Sequence, residues 1–131
     1  MADDKDCGGP MHLVNWFEIP ATDLERAKAF YEAVLDVELA VHDMGPLKMA
    51  MFPMMPGASG AAGALVAHEE YTPSHSGSMV YFSVPDIEAT LAKAAAAGGK
   101  ILFEKKSIGE YGFFGHAEDS EGNRIGLHAM T

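Results

Sequence analysis

Apolar and polar residues alternate along two short stretches of the chain, and after each the apolar spacing lengthens to three or four. In the first stretch Leu13, Asn15, Phe17 and Ile19 fall on one side, and Val14, Trp16 and Glu18 on the other. A period of two predicts a β-strand over about residues 12–19. Pro20 ends it, because proline has no N–H to give to a sheet ladder. Thr22-Asp23-Leu24-Glu25 then reads as a capping box, with Thr22 taking the backbone N–H of Glu25. The helix it opens runs to about Leu35, with Leu24, Ala27, Tyr31 and Val34 as its apolar stripe. The second stretch predicts a strand over 78–84 and a helix over 86–97. Ile87, Leu91 and Ala94 form that helix's stripe, and Gly98-Gly99 stops it.

The two stretches are one segment written twice. Phe17 matches Phe82, Ile19 matches Val84 and Pro20 matches Pro85; after a two-residue gap, Asp23, Leu24 and Glu25 match Asp86, Ile87 and Glu88. Further strands are predicted at 37–42 and 47–52 around the turn Asp43-Met44-Gly45-Pro46, at 63–68, and at about 100–104, 111–117 and 124–129. The order is βαβββ repeated. This predicts an α+β fold of two similar modules, about 12–68 and 78–131, packed about a pseudo-two-fold with a cleft between them. Residues 1–11 read as a flexible arm.

Composition narrows the function more than the fold. At 131 residues and 48% hydrophobic, the chain is sized for one domain with an ordinary core. A net charge of −10 leaves no basic face for nucleic acid or anionic membranes. No apolar run approaches the roughly 20 residues of a membrane span. The single Cys7 excludes an internal disulfide, and the start, Met1-Ala-Asp-Asp-Lys-Asp, is acidic where a signal peptide needs a basic and an apolar region, so a cytoplasmic location is expected.

Three motifs in this order carry a resemblance: Phe17-Glu-Ile-Pro with Asp23-Leu-Glu-Arg26-Ala27 and Phe30-Tyr31; Tyr81-Phe-Ser-Val-Pro-Asp86; and Gly115 with Asp119-Ser-Glu-Gly122-Asn123-Arg-Ile-Gly-Leu-His128. Over about residues 12–130 the chain resembles the vicinal oxygen chelate superfamily, which includes glyoxalases, bleomycin-resistance proteins and extradiol dioxygenases. It is most similar to the stand-alone glyoxalase-related proteins. The resemblance implies two βαβββ modules forming a mixed sheet around a cleft, helices on the outside, and a homodimer. Asp36 departs from the pattern, since relatives often end the first helix with Gly.

The resemblance also implies where a metal would be held: by His, Gln or Glu near the start of each module's first strand and Glu on its last. Those positions fall on Met79, on Val14 or Trp16, on Gly126, and within Gly63-Ala-Leu-Val66. None supplies a hard-cation ligand, so no metal or other cofactor is expected. The six histidines, His12, His42, His68, His75, His116 and His128, include no pair at local metal-binding spacing.

The resemblance also implies that helices cover one face of each module's first strand and that the other face lines the cleft. The cleft-lining faces carry Trp16, Glu18, Met79, Tyr81 and Ser83, joined by Arg124 and His128. Glu18 beside Trp16 and Phe17 fits a desolvated general base, or equally an exposed carboxylate or one paired with Arg124. His128 fits a second catalytic group or a structural histidine. Trp16 and Tyr81 suit stacking on a planar ligand, and also plain packing. Met44–Met55 reads as an adaptable wall or as core filling, and 109–115 as a rim over the cleft or a bulged strand. The leading expectation is a small-molecule-binding protein without the family metal site. The alternative is a lyase, isomerase or dioxygenase of the glyoxalase type using Glu18 or His128, with a divalent metal only if its ligands have been displaced. A protein whose cleft is vestigial is the third possibility.

Overall fold

The computed structural model describes residues 12–131; the expected arm lies outside them. The elements are β1 (Trp16–Pro20), α1 (Leu24–Leu35), β2 (Ala40–Met44), β3 (Leu47–Met51), β4 (Ala62–Ala67), β5 (Tyr81–Ser83), α2 (Ile87–Ala96), β6 (Lys100–Ser107), β7 (Phe113–Glu118) and β8 (Arg124–Ala129). A short 3-10 turn at Gly109–Tyr111 separates β6 from β7. The strands pair as two four-stranded sheets, in the orders β1-β4-β3-β2 and β5-β8-β7-β6. In each sheet the first strand runs parallel to the last, and the other pairs are antiparallel. The expected βαβββ repeat is therefore present, with each module closing its own ladder rather than sharing one sheet.

One face of each sheet meets the helices. Ala27, Phe30, Tyr31 and Val34 of α1 and Ile87, Leu91 and Ala94 of α2 are buried in a single core with Ile19, Ala50, Leu65, Ala117, Ile125 and Leu127. Phe30, absent from the expected stripe, is 2% exposed and packs on Tyr31 with ring centroids 5.0 Å apart. Rings bridge the modules: Phe17 and Phe82, the repeated pair, lie 6.0 Å apart edge to face, and Tyr31 and Phe52 complete the cluster.

Several boundaries differ from expectation. β1 begins at Trp16, and Leu13, Val14 and Asn15 are exposed ahead of it. Asn15 therefore takes no part in the helix-facing side. β5 holds only Tyr81–Ser83, so Met79 and Val80 precede the ladder. Asp23, not Thr22, caps α1: its carboxylate accepts from Arg26 N at 3.1 Å. Asp86 does the same for α2 through Ala89 N at 3.0 Å. Asp36 stands at the end of α1 with φ 57°, the left-handed conformation that favours glycine. After α2, Gly98 takes φ +104° and Gly99 N returns to Ala94 O at 2.9 Å. A Cβ at Gly99 would overlap the Glu118 carbonyl, so the double glycine is needed twice over.

A buried polar joint locks the modules together. Tyr31 Oη donates to Asp119 Oδ2 at 2.5 Å; Asn123 Nδ2 donates to Asp119 Oδ2 and to the Pro20 carbonyl. Glu121 accepts from the backbone N–H of Thr22 and Asp23 and from the Arg26 guanidinium, with Arg26 Nε at 2.7 Å. The turn 119–123 of the second module thus grips the start of α1 in the first. Among the described residues no helix is long and apolar enough to cross a membrane.

Candidate functional site

The sheet faces opposite the helices carry the candidate residues. On β8, Ile125, Leu127 and Ala129 are buried in the core, so Arg124, Gly126 and His128 point the other way. On β7, Gly115 and Ala117 are buried toward α2, leaving Phe114, His116 and Glu118 on the open face. In the first module Met49, Ala64 and Val66 form a small second apolar cluster with Trp16, Leu47 and Met51. Two of the five methionines of the Met-rich stretch, Met49 and Met51, therefore pack with Trp16, while Met44, Met54 and Met55 remain exposed.

Where the modules meet, Glu18, Arg124, Ser74, Ser76 and Ser78 line a cavity of about 190 Å³. The connection between modules closes one end of it: Arg124 N donates to Ser74 O, and Ser74 N to Asn123 Oδ1. Glu18 and Arg124 share this cavity without pairing. The Glu18 carboxylate accepts from Trp16 Nε1 at 3.2 Å. The Arg124 guanidinium donates to His116 Nδ1, from Nε at 3.0 Å and from Nη2 at 2.9 Å. His116 Nε2 in turn meets Tyr81 Oη at 2.8 Å. Phe103 and Phe114 pack around the imidazole, with centroids 5.9 Å and 5.3 Å from it. Burial, and then the Arg124 charge, push the His116 pKa down, which keeps the ring neutral.

The other expected residues are more dispersed. His128 Nε2 donates to the Tyr111 carbonyl at 2.6 Å, which ties down the 109–115 segment expected as a rim. The first part of that segment, Gly109–Tyr111, is a 3-10 turn, and β7 starts only at Phe113. Met79 is half-buried ahead of β5. Ser83 is exposed and lines a different depression, on the helix side. That groove, about 450 Å³, is floored by Phe17, Phe52 and Phe82 and edged by Ala89 and Lys93. Neither the groove nor the part played by His116 is visible in the motifs. The signal for His116 lay in pairing β7 and β8 across the 119–123 turn, which sets it opposite Gly126.

The residues present do not fit a divalent metal. Gly126 lies under the Tyr81 ring, which a Cβ there would overlap, so no carboxylate side chain fits that position as it stands. Ala64 and Val66, on the matching face of the first module, are buried and apolar. Among the described residues no three of His, Cys, Asp and Glu converge as a metal site would require.

Comparison with known proteins fixes the class. The family model described as Glyoxalase/Bleomycin resistance protein/Dioxygenase superfamily matches residues 13–127, and the chain belongs to that superfamily. A glyoxylase-like domain-containing protein of Didymella fabae is 33% identical over 117 residues, covering 84% of this chain and 88% of that one. A provisionally named glyoxylase of Mycobacterium bovis is 32% identical over 107 residues, 82% of this chain, which spans only 40% of that longer protein. Among solved structures, a glyoxylase/bleomycin resistance protein/dioxygenase domain from Frankia superposes with TM-score 0.69 at 16% identity, covering 92% of this chain and 98% of that one. A glyoxalase/bleomycin resistance protein from Albidiferax ferrireducens gives TM-score 0.65 at 21% identity, covering 90% and 99%. These last two likenesses concern the fold.

Proposed function

We propose that this chain binds a small organic molecule on the open sheet faces where its two modules meet, without the metal site of its relatives. The observation that carries this reading is the seam cavity shared by Glu18 and Arg124, two opposite charges that face one space without pairing. Trp16 is bonded to Glu18, and Tyr81 is linked to Arg124 through His116, so two aromatic rings are tied to the two charges. A few convergent polar groups joined to aromatic rings is the composition of a ligand site. The filled position at Gly126 supports binding without metal.

A glyoxalase-type lyase, isomerase or dioxygenase activity is the second reading, favoured by the names of the curated relatives. On that reading Glu18 takes a proton from the substrate. His128, whose Nε2–H is committed to Tyr111, offers Nδ1 as its acceptor. We also propose a homodimer in the cytoplasm, on the expectation set by the sequence and by the exposed Met44, Met54 and Met55.

The test is a thermal-shift screen of metabolites and antibiotics, repeated on Glu18→Gln and His128→Ala. A compound that stabilises the wild type and loses its effect in Glu18→Gln supports the site. Turnover of that compound, abolished by either substitution, moves the conclusion to the second reading. A compound that stabilises all three proteins equally and also fails to stabilise Ala89→Trp, which fills the helix-side groove, relocates the site there.

A further inference from the structure

The three side chains Arg124, His116 and Tyr81 form a chain of hydrogen bonds whose direction can be assigned. A guanidinium has donors only. His116 Nδ1 receives two of them, from Arg124 Nε and Nη2, so Nδ1 carries the lone pair. The hydrogen of the neutral ring is then on Nε2, and Nε2–H donates to Tyr81 Oη at 2.8 Å. The Tyr81 hydroxyl hydrogen is left over. Tyr81 is 50% exposed, its ring lies against the bare backbone of Gly126, and among the described residues nothing accepts that hydrogen.

From this chain of bonds we propose that Tyr81 is a hydrogen-bond donor to an oxygen acceptor on the ligand, held in that role by His116 and Arg124, and that the ligand is a planar carboxylate. The inference rests on the open-face binding proposed above and adds the chemistry of what binds. The surroundings select against a cation and for a flat anion. Arg124 lies one residue behind the donor, and Lys106, opposite Phe114 in the ladder, approaches the Phe103 ring at 6.0 Å. The acidic groups nearby are engaged: Glu118 with His75 at 2.8 Å, and Glu18 with Trp16. Phe103 and Phe114, edge to face at 5.1 Å, give apolar area beside the hydroxyl for an aryl ring. The net charge of −10 belongs to the rest of the molecule and acts at longer range, where salt screens it. His116 and Arg124 are positioning residues here; of the three, only Tyr81 touches the ligand.

Two probes of matched shape and opposite charge test this on the full chain: benzoate and benzylammonium, followed by the Tyr81 side-chain carbon resonances. Benzoate is expected to bind and shift them, and Tyr81→Phe to weaken it about tenfold, the loss of one hydrogen bond to a charged group. Arg124→Gln is expected to weaken it further. The ligand-free protein gives an independent readout: the His116 ring nitrogens should show hydrogen on Nε2 in the wild type and a mixture of tautomers in Arg124→Gln, with circular dichroism unchanged. Hydrogen on Nδ1 in the wild type overturns the proposal. So does benzoate binding that Tyr81→Phe leaves unaltered, or failure of benzoate to bind. Benzylammonium binding as tightly as benzoate, with a response at Trp16, removes the carboxylate inference and leaves open-face binding standing.

Discussion

Glu121 joins the two modules more densely than any other side chain on the 119–123 turn. Its side chain is fully enclosed, yet its carboxyl is held below the usual range. Burial alone would raise it; hydrogen bonds from Arg26, the Asp23 N–H and Ser120, together with the Arg26 charge, outweigh burial. A carboxyl lowered in the folded state adds stability that is present above the unfolded value near 4.5 and is lost as pH falls through the folded one. Glu121→Gln should therefore lower stability by about 2 kcal/mol at neutral pH and flatten the loss between neutral and acid pH, as read from urea midpoints. An unchanged acid slope would show that other carboxylates dominate. Tyr31→Phe should cost roughly 1 to 2 kcal/mol, because Asp119 loses a buried donor. These residues read as ordinary turn and stripe positions in the sequence. Their partners lie 95 and 88 residues away, and no local pattern reports such a distance.

At the scale of elements, the repeat made the helices legible, but the capping-box pattern set the cap of α1 at Thr22, one residue too early. Both Thr22 and Asp23 suit an N-cap, and the β-region backbone at Asp23, φ −123°, decides for the aspartate. Its repeat partner Asp86, at φ −150°, makes the matching bond. Asp23→Ala and Asp86→Ala should each cost about 1 kcal/mol, whereas Thr22→Ala should be nearly neutral; thermal denaturation of the three variants distinguishes them. Strand edges were read too long at residues 12–15 and 78–80 because alternation continues into exposed chain that has no partner strand. Alternation along β1 sets Trp16 with Glu18, and along β8 Arg124 with His128, on the faces turned away from the core residues Ile19, Ile125 and Leu127. Ser83, by contrast, sits at the end of β5, where the chain turns toward α2 and the helix-side groove.

At the scale of the whole molecule, two sheets meet at their first strands, with a shared helical core on one side and an open, chemically mixed surface on the other. The architecture was legible because it is written twice. The chemistry was not, because the bond chain from Arg124 to Tyr81 depends on the register of β7 against β8. If the chain pairs with a second copy, light scattering at micromolar concentration should give twice the 14.0 kDa chain mass, and Met55→Glu should shift it toward the single mass. The most direct test of the central claim uses Trp16, the chain's single tryptophan, as the reporter. A compound found by stabilisation should change Trp16 emission saturably. Tyr81→Phe should weaken that titration about tenfold, and Trp16→Ala should weaken binding measured by calorimetry roughly fivefold. Emission that stays constant at saturating compound, with affinity indifferent to both substitutions, would contradict a site on the open sheet faces.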